Sequence, residues 1–180
     1  MNIVLVGFRC TGKTTVGKAL GQRLRREFVD SDQFLERKSG LTIRELFTSK
    51  GESSFRQLEA ETLNELSKLD GKVIAAGGGA VLWYKNIRNL KRNGLILLLE
   101  SDCETIWRRF QADPKTHTQR PALTNLADTR QEIEEQFEMR KPYYHKSADH
   151  IVETSTKSVD EIVVEILHHL EDREILGRLV

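Results

Sequence analysis

Cysteine is scarce in this sequence. Cys10 and Cys103 are the only two, too few for a disulfide framework, and no CxxC or Cys/His spacing points to zinc. Both are expected to be free thiols in a reducing cytoplasm. An excess of either charge is missing as well. With 28 Lys and Arg against 27 Asp and Glu, the formal net charge is +1. That leaves no electrostatic footprint for nucleic acid or an anionic membrane, so any basic site must be local. No apolar run approaches the ~18 residues that would span a bilayer. Met1 is followed at once by Asn2 and a short apolar run without a basic n-region, so a secretory signal is not expected. Proline occurs three times, and two of these, Pro114 and Pro121, fall in one polar stretch. There is no internal repeat and no low-complexity tract. What remains is 180 residues, 38% hydrophobic and 31% charged, enough for one domain around one substantial core.

Apolar patterning alternates between two periods. Asn2–Val6 (NIVLV), Lys72–Ala76 and Leu95–Leu99 (LILLL) are short apolar segments, as strands buried on both faces are, and Glu27–Val29 is a short strand candidate. Ile151–Val152 marks a short last strand. Helical spacing governs Lys13–Arg26, Gln33–Lys38, a segment opened by the capping pattern Thr42-Ile-Arg-Glu45 and closed by Gly51, Glu52–Leu69, and Tyr84–Asn93. In Glu52–Leu69 the expected buried stripe is Phe55, Leu58, Thr62, Leu66 and Leu69. Ser101-Asp-Cys-Glu104 is expected to cap a helix to about Ala112, and Ser158-Val-Asp-Glu161 a final one to about Leu170. Strands alternating with helices predict an α/β domain, with a parallel sheet covered on both faces. The domain is expected over residues 1–171, followed by a charged tail at 172–180. Residues 112–127 fit no regular element, and a loop of that length in a compact domain is usually functional, often a lid.

Gly7-Phe-Arg-Cys-Thr-Gly12-Lys13-Thr14 fits G-x-x-x-x-G-K-[ST] between a buried strand and a helix, the context that gives the pattern meaning. Gly7 and Gly12 let the backbone curl so that successive N–H groups converge on one centre, reinforced by the positive end of the helix. Cys10, Thr11, Gly12, Lys13, Thr14 and Thr15 are therefore expected to hold the phosphates of ATP. Lys13 supplies the cation, and the Thr14 hydroxyl suits a Mg²⁺ ligand. A GTPase would need N-K-x-D and D-x-x-G, and neither string occurs. Cys10 in so electropositive a loop favours its thiolate, so thiol reagents are expected to inhibit and ATP to protect. Cys10 and Thr11 in place of smaller residues should be tolerated if their φ values are negative.

Further patterns follow in order: Asp30-Ser31-Asp32, Phe55-Arg56-Gln57-Leu58-Glu59, Gly77-Gly78-Gly79, Arg120-Pro121-Ala122-Leu123, and Arg140 in Met139-Arg140-Lys141-Pro142-Tyr143-Tyr144. On these the sequence resembles the shikimate kinase family from residue 2 to about residue 170. The resemblance implies a three-layer α/β/α phosphate-loop kinase, related to the nucleoside monophosphate kinases, with a five-stranded parallel sheet in order 2-3-1-4-5 and a lid. It implies ATP and Mg²⁺ as cofactors and transfer of a phosphoryl group to the 3-hydroxyl of shikimate. The expected partner is that small molecule, with no nucleic acid or membrane, for a chain acting as a monomer.

The resemblance places Asp30 near the Mg²⁺ waters and Asp32 on the hydroxyl to be phosphorylated. Chemistry agrees that such a hydroxyl needs a positioned carboxylate. Period two puts both carboxylates on one side if the strand continues; alternatively Asp32 caps a helix beginning at Gln33. Arg56 and Glu59, three apart on a helix, are either a surface ion pair or a carboxylate-binding arginine with its rotamer fixed. Arg140 is either the second arginine on that carboxylate or a solvated helix end. Gly77, Gly78 and Gly79 permit close backbone approach and by resemblance contact the acceptor hydroxyls. No acidic metal ligand is available beside Ala75-Ala76, so Asp30 must serve from elsewhere. Arg120 in the lid is expected to close over the phosphates. Arg109, or its neighbour Arg108, and Lys157 within Thr154–Ser158 fall where the family packs adenine. A kinase for another small hydroxy acid such as gluconate, and a non-catalytic ATP-binding module, are the alternatives.

Overall fold

The computed structural model describes residues 1–113 and 130–172. Five strands form one parallel sheet: β1 Asn2–Val6, β2 Phe28–Asp30, β3 Val73–Ala75, β4 Gly94–Glu100 and β5 His150–Glu153, in the order β2-β3-β1-β4-β5. This is the expected order. Among the described residues seven helices accompany it: α1 Lys13–Leu24, α2 Ser31–Ser39, α3 Ile43–Leu66, α4 Tyr84–Lys91, α5 Cys103–Ala112, α6 Arg130–Ser147 and α7 Val159–Asp172. A 3-10 turn covers Ala80–Leu82.

Side-chain alternation along the central strands divides the core into two layers. Ile3, Leu5, Leu95, Leu97 and Leu99 pack with Val16 and Leu20 of α1 and Ile162, Val163, Ile166 and Leu170 of α7. Val4, Val6, Ile96 and Leu98 face the other way, onto Leu63 and Leu66 of α3, Ile87 and Leu90 of α4, Ile106 and Phe110 of α5, and Ile133, Phe137 and Tyr144 of α6. Continuous apolarity in NIVLV and LILLL thus follows from helices on both faces. A satellite cluster of Leu35, Ile43, Leu46 and Phe55 joins α2 to α3.

Boundaries moved where polar side chains took roles that spacing cannot assign. The capping boxes at Thr42/Glu45 and Ser158/Glu161 form as expected. At α5 the cap is Asp102, which accepts the Thr105 N–H at 2.6 Å, and not Ser101. The helices expected on either side of Gly51 meet without a loop, because Gly51 alone absorbs the turn at φ 75° and ψ 166°. In α3 the buried stripe runs through Phe55, Glu59, Thr62, Leu63 and Leu66, while Leu69 lies exposed past the helix end. Ala112 closes α5 rather than opening the lid, and Asp172 belongs to α7 rather than to the tail. The rest of the expected lid and tail lies outside the described residues.

Candidate active site

The turn from β1 into α1 builds the first half of the site. Gly7 has φ 150° and Gly12 φ 95°. At Gly7 a Cβ would strike the Leu99 carbonyl, so only glycine lets the loop pass this close to β4. Cys10 does not meet the expected condition of negative φ: it sits at φ 63°, in the left-handed region. The loop holds a non-glycine residue there at a cost of order 1–2 kcal/mol. Thr11 Oγ1 donates to the Phe8 carbonyl at 3.0 Å. Lys13 Nζ donates to the Gly7 and Phe8 carbonyls at 2.8 and 2.7 Å, which anchors the buried ammonium to its own loop.

The end of β2 supplies two carboxylates, but not by strand periodicity. The strand stops at Asp30 and α2 begins at Ser31, so Asp32 lies in the first helical turn. Asp30, not Asp32, is the N-cap: its Oδ1 accepts from the N–H groups of Asp32 and Gln33 at 3.0 and 3.3 Å. Its Oδ2 accepts the Thr14 hydroxyl at 2.9 Å. Asp32 is thereby released from the capping role. A helix start also favours its negative charge. A cavity of about 150 Å³ is lined by Lys13, Thr14, Thr15, Asp30, Asp32, Ala75, Ala76 and Gly78, with Cys10, Gly12 and Asp113 completing its wall. Among the described residues no group of three or more His, Cys, Asp and Glu side chains could hold a metal ion. The adjacent Thr14 hydroxyl and Asp30 carboxylate are hard oxygen donors. They fit Mg²⁺, which keeps most of its waters and takes phosphate oxygens.

A second cavity, of about 290 Å³, lies on the other side of the phosphate loop. Cys10, Thr11, Gly12, Thr15, Arg109, Lys157 and Ile162 are among its lining residues. Arg109 is the arginine placed here, while Arg108 is exposed. Its Nη2 donates to the Thr154 carbonyl at 2.6 Å, and its Nη1 to Ser101 Oγ at 3.0 Å and the Cys10 carbonyl at 3.3 Å. The buried Ser101 and Thr154 hydroxyls are 2.6 Å apart. This latch ties α5 and the β5 end to the phosphate loop, and Ser101 was missed because its sequence context reads as a cap. Lys157 Nζ pairs with Glu165 at 2.5 Å.

The glycine loop after β3 links this nucleotide side to a buried guanidinium pair. Gly78 lines the first cavity. A Cβ at Gly77 would come within 2.6 Å of Asp32 Oδ1, and one at Gly79 would collide with the Arg56 guanidinium. Arg56 is no surface pair: its side chain is 12% exposed, and its Nη1 is 2.9 Å from Oε2 of Glu59, itself 5% exposed. Its Cζ also lies 5.2 and 5.8 Å from the ring centroids of Phe55 and Phe47. Arg140 is no solvated helix end either. It is buried within α6, with Nη2 bonded to Gln136 Oε1 at 3.0 Å and Nε without a hydrogen-bond partner among the described residues.

Burial raises the Glu59 pKa, opposed by the charges of Arg56 and Arg140. Burial also lowers the Arg140 pKa, and the Arg56 charge adds to that shift. The Arg56 charge thus bears on the buried Arg140 while Glu59 contacts only Arg56 of the two, and a bound anion would offset that repulsion. The sequence motif around Arg140 includes Tyr144 but gives it no role; its hydroxyl donates to the Gly78 carbonyl at 2.5 Å. Its position four residues after Arg140 was the available signal, since i and i+4 share a helix face. Neither Arg56 nor Arg140 lines the first cavity; Arg56 meets the glycine loop at Gly79, and α6 meets it through Tyr144. Arg120 lies outside the described residues.

The family model and the relatives above 30% identity that follow name one family. The family model described as shikimate kinase matches residues 9–171. The shikimate kinase of Syntrophus aciditrophicus (strain SB) is 40% identical over 179 residues, covering 96% of this chain and 92% of its own. That of Caldanaerobacter subterraneus subsp. tengcongensis is 40% identical, covering 92% and 94%. Among solved structures, the Acinetobacter baumannii shikimate kinase in complex with shikimate superposes with a TM-score of 0.88 at 35% identity, covering 96% of this chain and 93% of that one. The Aquifex aeolicus shikimate kinase gives 0.78 at 35% identity, covering 97% and 98%. With the expected sheet order in place and the match running through both halves of the site, the chain belongs to the shikimate kinase family.

Proposed function

We propose that this chain transfers the γ-phosphoryl group of ATP to the 3-hydroxyl of shikimate. The observation that carries the choice of acceptor is the buried Arg56–Glu59–Arg140 cluster against a glycine loop that also walls the phosphate cavity. A carboxylated polyol satisfies both parts. Its carboxylate meets two desolvated guanidiniums, and a ring hydroxyl reaches toward Asp32 and the phosphate loop.

The loop N–H groups and Lys13 bind the β and γ phosphates and spread the charge that develops during transfer. Thr14 and Asp30 would hold Mg²⁺, which when bound neutralises charge on the phosphate oxygens. Asp32 orients the acceptor hydroxyl and accepts its proton. Adenine packs in the second cavity beside Arg109 and Lys157. Two free cysteines agree with a cytoplasmic enzyme, and among the described residues no helix is long and apolar enough to cross a membrane.

The direct test is coupled ADP release with ATP and Mg²⁺, shikimate present or absent, and gluconate as a competing acceptor. ADP release is expected to depend on shikimate and not to respond to gluconate. Nucleotide binding without shikimate-dependent release would reduce the chain to an ATP-binding module.

Cys10 provides an independent check on the nucleotide side, because it lines both cavities. Cys103 is the internal control: burial pushes its thiol pKa up, so it should react more slowly. Peptide mapping after limited iodoacetamide treatment is expected to find Cys10 alkylated first, activity falling in step, and ATP protecting both. Full activity after complete Cys10 modification would contradict this placement.

A further inference from the structure

Three consecutive glycines give the acceptor loop its close approach and also make it loose, since a Gly-Gly peptide can turn over at little steric cost. Neighbouring groups must therefore select its orientation. The Gly77 N–H donates to Ser31 Oγ at 2.9 Å, and the Gly77 carbonyl accepts the Ala80 N–H at 3.0 Å. The next peptide is held differently. The Tyr144 hydroxyl reaches from α6 to the Gly78 carbonyl at 2.5 Å, and the whole residue is only 2% exposed.

The Gly78–Gly79 peptide is trans, so its C=O and N–H point in opposite directions. By taking the carbonyl, Tyr144 turns the Gly79 N–H away from its own side. Neither the Gly78 nor the Gly79 N–H has an acceptor among the described residues. Gly79 abuts the Arg56 guanidinium, and Arg140 lies one helical turn before Tyr144.

On the reading of this region as the acceptor site, we infer that Tyr144 is a positioning residue for the acceptor. It holds the Gly78–Gly79 peptide in the orientation that offers the Gly79 N–H to an acceptor oxygen. α6 then serves the acceptor twice, through the Arg140 charge and through the peptide that Tyr144 sets. A residue that only filled the core would need its ring and not its hydroxyl.

The Tyr144→Phe variant keeps the ring and removes the hydroxyl, which also interacts with Arg140. A Gly78–Gly79 peptide that keeps its orientation in the variant would therefore overturn the positioning role even if the shikimate KM rises. Steady-state kinetics with each substrate varied in turn is expected to give a shikimate KM raised about tenfold, the scale of one well-placed hydrogen bond. The ATP KM should stay unchanged. A crystal structure of the variant is expected to show the Gly78–Gly79 peptide in a second orientation. Equal shifts in both KM values, or no shift in either, overturn the positioning role. A parent enzyme that never turns over shikimate would instead overturn the acceptor reading, so the two failures are distinguishable.

Discussion

Asp32→Asn is expected to lower kcat by about 10²–10⁴-fold, the range for loss of a positioned acid–base group, while the ATP KM changes little. The side chain is nearly isosteric, so this is a test of charge rather than of packing. Asp32 stands in the first turn of α2, directly against Gly77, and lines the same cavity as Lys13 and Thr14. Asp30 already provides the cap, with one oxygen on the α2 N–H groups and the other on Thr14. Removing the Asp32 charge therefore leaves the helix start and the Thr14–Asp30 pair in place. The amide can still accept a hydrogen bond from a hydroxyl but cannot take its proton. Steady-state kinetics together with a thermal melt separates the alternatives. A kcat within about threefold of the parent, well short of that range, would remove Asp32 from the chemistry.

Arg56→Lys is expected to raise the shikimate KM by about 10²-fold, the scale of a disrupted buried charged contact, with the ATP KM nearly kept. The substitution conserves charge and loses nearly everything else. The planar fork bonds Glu59 and lies near the rings of Phe47 and Phe55. A lysine ammonium is a point charge on a flexible stem and cannot offer the same paired N–H groups to a carboxylate. Glu59 would also lose a fixed partner while remaining buried, so some loss of stability accompanies the kinetic change. Isothermal titration with shikimate, and separately with an ATP analogue, measures the two affinities apart. Unchanged shikimate binding would remove the carboxylate clamp.

Several parts of this site were legible before any coordinates. The phosphate loop was, because its chemistry is carried by the backbone of contiguous residues and needs glycine at set places. Both capping boxes that form are likewise local. Cys10 shows where such reading stops: its left-handed φ depends on the curl of the whole loop and not on its own preference. Asp30 and Asp32 show a different limit. Period two would put both on one side only if the strand continued to Asp32, but the strand stops at Asp30 and the cap falls to Asp30.

Burial could not be read from spacing. Arg56–Glu59 has the spacing of an exposed ion pair, and what makes it a candidate anion site is that α3 packs this face against the glycine loop and that α6 brings the Arg140 charge within reach. Spacing from Arg140 marks Tyr144 as sharing its helix face, but the hydrogen bond to Gly78 was unreadable for the same reason, since it spans 66 residues of sequence.

The chain order alone was sufficient for the local chemistry: a curled anion-binding backbone, the identities of the charged groups, and the alternation that builds a sheet covered on both faces. Only tertiary packing settled which charges lose their water, which carboxylate serves as a cap, and which hydroxyl orients a glycine peptide. Conformation and hydrogen bonding between near neighbours follow from adjacent residues, whereas desolvation arises when distant segments exclude water together.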